Sequence, residues 1–131
     1  MPTDHTLGRS EKLKGKKTID LLFSKGRQLT AYPIKLIYME RESLENPKVQ
    51  VGFAVPKKRF KKAVERNRIK RLMREAYRLN KTLVVGNSSF SFAFLFLYLG
   101  KEMPNFVQVE QSVVKSLQKF AKKNTDEQNN A

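Results

Sequence analysis

At 131 residues the chain has room for one domain with a single core of a few strands and helices. Twenty-seven Lys and Arg against twelve Asp and Glu leave a formal net charge of +15, which favours nucleic acid over a neutral small-molecule substrate. The absence of cysteine excludes a disulfide framework and a thiolate metal site and suits a reducing cytoplasm, while no signal peptide, lipidation motif or bilayer-length apolar run points to a membrane.

Met1 to about Lys12 is polar and aperiodic and reads as a flexible or loosely docked arm; its lone His5 has no partner for catalysis or for a metal. Thr18 is a candidate cap for a short helix in which Ile19, Leu22 and Phe23 share a face, with Gly26 as a left-handed stop. Gln28 to Glu40 alternates like a strand, with Tyr32, Ile34, Leu36 and Tyr38 on one side and Lys35, Ile37 and Met39 on the other. Pro33 removes a backbone donor, so this run is an edge strand or two short strands broken there. The Glu-rich Arg41 to Pro47 reads as a turn between two antiparallel strands, the second of which has a large face (Val49, Val51, Phe53, Val55) and a small one (Gly52, Ala54). The small residues admit either a packed neighbour or a shallow groove for a single strand.

The next stretch, Lys57 to Lys81, is the most informative. Wound at about 100° per residue, it gathers Ile69, Leu72, Met73, Ala76, Tyr77 and Leu79 on one broad side and Asn67, Lys70, Arg71, Arg74 and Arg78 on the other. Twelve Lys and Arg are opposed only by Glu65 and Glu75, so pairing within the helix cannot neutralise them. A solvated helix face is the plain alternative, but like charges such as Lys70 with Arg74 repel without a counter-anion. Phosphate is the anion that best suits the planar guanidinium groups.

After a turn at Gly86 to Ser89, Phe90 to Leu99 is apolar on both faces, as in the buried centre of a sheet, although its row of aromatic residues also suits base stacking. Asn105 with Gln108 forms a candidate capping box for a last helix whose Phe106, Val109, Val113, Leu117 and Phe120 recur at core spacing, followed by a polar tail over 124–131. The expected domain is therefore 13–123, an α+β two-layer sandwich with a sheet of about four strands in the order αβββαβα. A strand, basic helix, strand crossover is admitted, and the general rule gives it a right hand. Asp4, Asp20 and Asp126 are poorly placed to cluster, which argues against a stand-alone metal-dependent nuclease. A generic RNA-binding or ribosomal protein explains the charge equally well.

One motif separates these readings. Ala63 to Glu75, with Arg66-Asn67-Arg68 followed by Ile69-Lys70-Arg71 and then Arg74-Glu75, closely resembles the signature of the bacterial ribonuclease P protein component. Ile19 to Gly26 and Val51 to Lys58 are also similar to the segments of that family that precede the motif, and the likeness runs from about Leu13 to Phe120. The resemblance implies a ribosomal protein S5 domain 2-like fold with a left-handed crossover. It further implies a cytoplasmic, non-catalytic protein subunit that helps remove the 5′ leader of precursor tRNA, with the chemistry carried by a catalytic RNA and its Mg²⁺. Carried onto this sequence, Arg66, Asn67, Arg68, Lys70, Arg71 and Arg74 would contact that RNA, supported by Lys57, Lys58, Arg59, Lys61 and Lys62. The leader cleft would draw on Ile19, Phe23, Ile37, Val51, Phe53 and Val55. No metal or cofactor would be held by the protein alone, and Ile19 and Ile37 stand where many relatives carry aromatic residues.

Overall fold

The computed structural model describes residues 11–41, 49–83 and 91–129; the Met1 to Ser10 part of the arm, residues 42–47 of the turn expected over Arg41 to Pro47, the turn expected at Gly86 to Ser89, and Phe90 lie outside them. The elements follow the order α1 (Lys16–Lys25), β1 (Arg27–Ala31), β2 (Ile34–Arg41), β3 (Val49–Ala54), α2 (Ala63–Asn80), a 3-10 turn (Lys81–Leu83), β4 (Ser91–Tyr98) and α3 (Phe106–Asn129). Four strands form one mixed sheet in the order β1-β2-β4-β3. The run around Pro33 resolves into two strands, β1 and β2, paired antiparallel from Arg27 opposite Tyr38 to Ala31 opposite Ile34.

Strands β2 and β3 run in opposite directions but are not neighbours. β4 lies between them, antiparallel to β2 and parallel to β3, so β3-α2-β4 is a parallel crossover. This central position accounts for β4 being apolar on both faces. Phe92, Phe94, Phe96 and Tyr98 are buried in the main core, where Phe120 of α3 meets Phe92 and Phe94 edge-on at 4.9 and 4.8 Å. They are therefore not a stacking platform for bases.

Alternation sends the two rows of each strand into two different cores. Ile34, Leu36, Tyr38, Val49, Val51 and Val55 join the layer under α2 and α3, while Ile37, Ala93 and Leu95 face the other way, where Leu22 of α1 and Leu13 cover them. The basic helix and the last helix thus share one side of the sheet, and α1 lies across part of the other.

Helix boundaries differ from expectation in three places. α1 starts after Gly15, at φ 95°, so Thr18 lies inside the helix and does not cap it. Gly26 ends α1 in extended backbone (φ −70°, ψ 151°), not in the left-handed region. Its glycine is required for a different reason: a Cβ there would collide with the Leu22 carbonyl oxygen and lie 2.8 Å from Cγ2 of Ile37. α3 begins with the expected capping box, the Gln108 amide N–H donating to Oδ1 of Asn105 at 2.9 Å and the Asn105 N–H to Oε1 of Gln108 at 3.1 Å. It continues to Asn129, through residues expected to form a tail. The end of the arm is docked, since Leu13 N–H donates to Val51 O at 2.9 Å on the free edge of β3 and Glu11 pairs with Lys81 at 3.1 Å. No described helix is long and apolar enough to cross a membrane.

Candidate nucleic-acid interface

The surface with the clearest chemistry is built on α2. Ile69, Met73, Ala76 and Tyr77 are fully buried against the sheet and α3, and Leu72 packs at the rim of that contact. Because the helix cannot rotate without exposing these four side chains, its opposite arc is fixed toward solvent. Asn67, Arg68, Arg71 and Arg74 are exposed on that arc, and Lys70 is half-buried at its flank. Leu79, expected on the core side, is instead 40% exposed, lying beyond the arc that the core covers.

The loop before α2 extends the same surface. Phe60 is buried with its ring 5.9 Å from that of Tyr98, and both Arg59 N–H and Phe60 N–H donate to Pro56 O at 3.3 Å. This anchored turn leaves Lys57, Lys58, Arg59, Lys61 and Lys62 exposed around one apolar plug. Lys62 is the N-cap of α2 without a side-chain cap bond, and Glu65 is the only acid in the first turn. The positive end of the helix dipole therefore points into a cluster of like charge, which raises the potential available to an anion.

The cations are not equivalent. Arg66 is half-buried and donates to the carbonyl oxygens of Phe60 and Lys61, both at 2.8 Å, so it braces the loop onto the helix. Arg59 donates to the carbonyl of Leu99. Arg78 bonds Glu75, and that hydrogen bond holds the half-exposed Glu75 carboxyl below its usual value. The Arg74 guanidinium lies 6.0 Å from the centroid of the Phe53 ring, at the outer limit of a cation–π contact. Among the described residues, Lys57, Lys58, Lys61, Lys62, Arg68, Arg71 and Arg74 are exposed cations with no carboxylate partner.

The six residues expected to line a leader cleft do not form one surface. Phe23 is half-exposed and Ile19 partly buried on α1, but Ile37 is buried beneath that helix. Val51 and Val55 are buried on the opposite face of the sheet, under α2 and α3, and Phe53 packs there between Phe96 and Tyr77 at 5.8 and 6.4 Å. The β3 residues that share the α1 side are the small ones, Gly52 and Ala54, opposite Leu95 and Leu97 of β4. The large and small faces of β3 are evident in its alternation, and the bulky face is the one drawn into the helix layer. Among the described residues, no three His, Cys, Asp or Glu side chains are grouped to hold a metal ion.

A mixed four-stranded sheet that holds one cationic helix rigidly against solvent defines a small basic α+β protein whose conspicuous surface suits a polyanion. The chain belongs to the ribonuclease P protein family: the family model described as Ribonuclease P matches residues 7–121. A ribonuclease P protein component from Porphyromonas gingivalis is 36% identical over 123 residues, covering 92% of this chain and 90% of the relative. One from Chlorobium phaeobacteroides is 37% identical over 122 residues, 83% and 84% of the two chains. The fold matches the RNase P protein from Thermotoga maritima (TM-score 0.68, 23% identity, 83% of this chain and 96% of that one). It also matches that of Staphylococcus aureus (TM-score 0.67, 19% identity, 82% and 93%). Membership gives the chain its general role, in tRNA processing as a ribonuclease P subunit.

Proposed function

We propose that this protein binds the catalytic RNA of ribonuclease P through α2 and the loop before it, and assists removal of the 5′ leader from precursor tRNA in the cytoplasm. The observation that carries this reading is the fixed outward arc of Asn67, Arg68, Arg71 and Arg74, continued by Lys57, Lys58, Lys61 and Lys62, with no carboxylate paired to any of these cations among the described residues. Displacing counterions from an RNA backbone is what such an arc does best, and folded RNA presents phosphates along both sides of a groove. Asn67 differs from its neighbours, since its amide both donates and accepts and so suits a base edge or a ribose hydroxyl. Arg66 supports this surface from beneath by holding the loop.

The leader is assigned to the α1 side of the sheet, where Phe23 offers an exposed ring, and not to Val51, Phe53 or Val55; Leu13 and Leu95 already pack against Gly52 on that side. Bond breaking belongs to the RNA and the Mg²⁺ it holds. Reconstitution tests the proposal: protein alone leaves a precursor tRNA intact, whereas protein added to a bacterial catalytic RNA at low Mg²⁺ yields the mature 5′ end. A catalytic RNA that gains nothing from the protein under those conditions refutes it.

A further inference from the structure

A second site lies at the end of the sheet, where the turn between β1 and β2 meets the loop between β4 and α3. Three hydrogen bonds hold its walls: Leu99 N–H to Pro33 O at 2.6 Å, Ser112 Oγ–H to Tyr32 O at 3.3 Å, and Tyr98 Oη–H to Glu102 O at 2.7 Å. Gly100 makes room for the Tyr98 ring, which a Cβ at that position would strike. The result is a cleft of about 480 Å³ rimmed by Tyr32, Lys101, Met103 and Gln111.

Its rim has the chemistry of a nucleotide site. Tyr32 is 69% exposed and Met103 37%, an apolar pair at the mouth of a cleft whose other walls are mixed, with Pro33 and Pro104 beside Gln108, Ser112 and the exposed Glu102. Isolated exposed tyrosines are ordinary, but this one stands beside the exposed ammonium of Lys101 and the exposed amide of Gln111. An aromatic face stacks a base of any identity, an amide pairs with a base edge, and a cation takes the phosphate. The cleft also joins the cationic surface directly, because Arg59 donates to the carbonyl of Leu99 on its border and Phe60 packs on Tyr98.

We propose that this cleft binds one unpaired nucleotide of RNA, its base stacked on Tyr32 and Met103 with Gln111 at its edge and its phosphate on Lys101. The proposal rests on the RNA-binding reading of the α2 surface and extends it around the end of the sheet to a base-stacking position.

Adenosine 5′-monophosphate and ribose 5-phosphate, titrated separately into the ¹⁵N-labelled full chain, test it. The nucleotide shifts the amide resonances of Tyr32, Lys101, Met103 and Gln111 with one saturating isotherm, and ribose 5-phosphate does not saturate them. Tyr32→Ala weakens nucleotide binding by at least ~5-fold, the lower end of what loss of one base–aromatic stack removes, while Tyr32→Phe keeps it. Gln111→Ala, on the water-facing side of α3, provides a second variant that leaves the turn untouched and also weakens binding. Nucleotide shifts confined to α2, or equal responses to both probes, overturn the proposal. Retention of salt-dependent binding to the catalytic RNA in the same preparation then shows that the α2 reading survives and the cleft alone is wrong.

Discussion

Replacing Arg68 and Arg71 together by alanine is the sharpest probe of the α2 surface. Both side chains are exposed and neither is held by a carboxylate, while the buried stripe of Ile69, Met73, Ala76 and Tyr77 is untouched, so the helix persists; alanine is the better helix former. Counting Lys57, Lys58, Lys61, Lys62, Arg68, Arg71 and Arg74, the exposed cations of α2 and its loop that make no hydrogen bond or ion pair among the described residues, gives seven phosphate contacts. At about 0.7–0.9 per contact, the slope of log affinity against log salt is then at most ~5–6, and losing two contacts lowers it by about 1.4–1.8. Over a change from about 50 to about 200 mM salt this narrows the gap between the wild-type protein and the variant by about ten-fold. Titration of a fluorescent catalytic RNA at a series of KCl concentrations measures the slope directly. Arg66→Ala is the contrast. Its two bonds to the Phe60 and Lys61 carbonyls make its loss a matter of about 1–3 kcal/mol of stability and a looser loop, with a smaller change in slope than the double variant shows. Parallel log–log lines for the wild-type protein and the Arg68/Arg71 variant would refute the assignment of this arc to phosphate.

Two further substitutions test the packing that positions the site. Gly26→Ala drives a methyl group into the Leu22 carbonyl and the Ile37 side chain, so it should cost about 1–3 kcal/mol in urea unfolding and loosen α1 from β2; an unchanged midpoint would contradict the close approach. Tyr77 is fully buried, with no hydrogen-bond partner for its hydroxyl among the described groups; burial pushes its phenol well above the usual value and the Glu11 carboxylate adds to the effect. Because the folded-state value lies above the unfolded value of about 10, its contribution to stability is complete below about pH 10 and is lost as the pH rises further. Tyr77→Phe should leave stability at neutral pH equal or slightly higher and flatten the alkaline decline, and a loss of more than about 1 kcal/mol at pH 7 would show that the hydroxyl has a partner.

The α2 surface was largely legible from sequence because a helix imposes its own 3.6-residue register. Once Ile69, Met73 and Ala76 face inward, Asn67, Arg71 and Arg74 must face outward whatever else the chain does. What the register leaves open is the width of the buried arc, and the neighbouring elements set it so that Leu79 falls outside while Leu72 stays at the rim. Arg66 shows the same limit. Its place in the motif marks it as a contact, yet its guanidinium is engaged by two carbonyls of a loop that folds back on it.

Composition and periodicity alone determined that the chain is strongly basic, that helix, strands, basic helix, strand and helix follow in that order, and that one helix carries a charge it cannot neutralise. Tertiary structure alone decided that β4 enters between β2 and β3, that the large face of β3 turns toward α2 and α3, and that Tyr32 and Lys101 line one cleft. The reason lies in the range of the forces. Hydrogen-bonding period and side-chain alternation are set between near neighbours in the chain, whereas the choice of face and of neighbouring strand follows from burying apolar surface contributed by residues far apart in sequence.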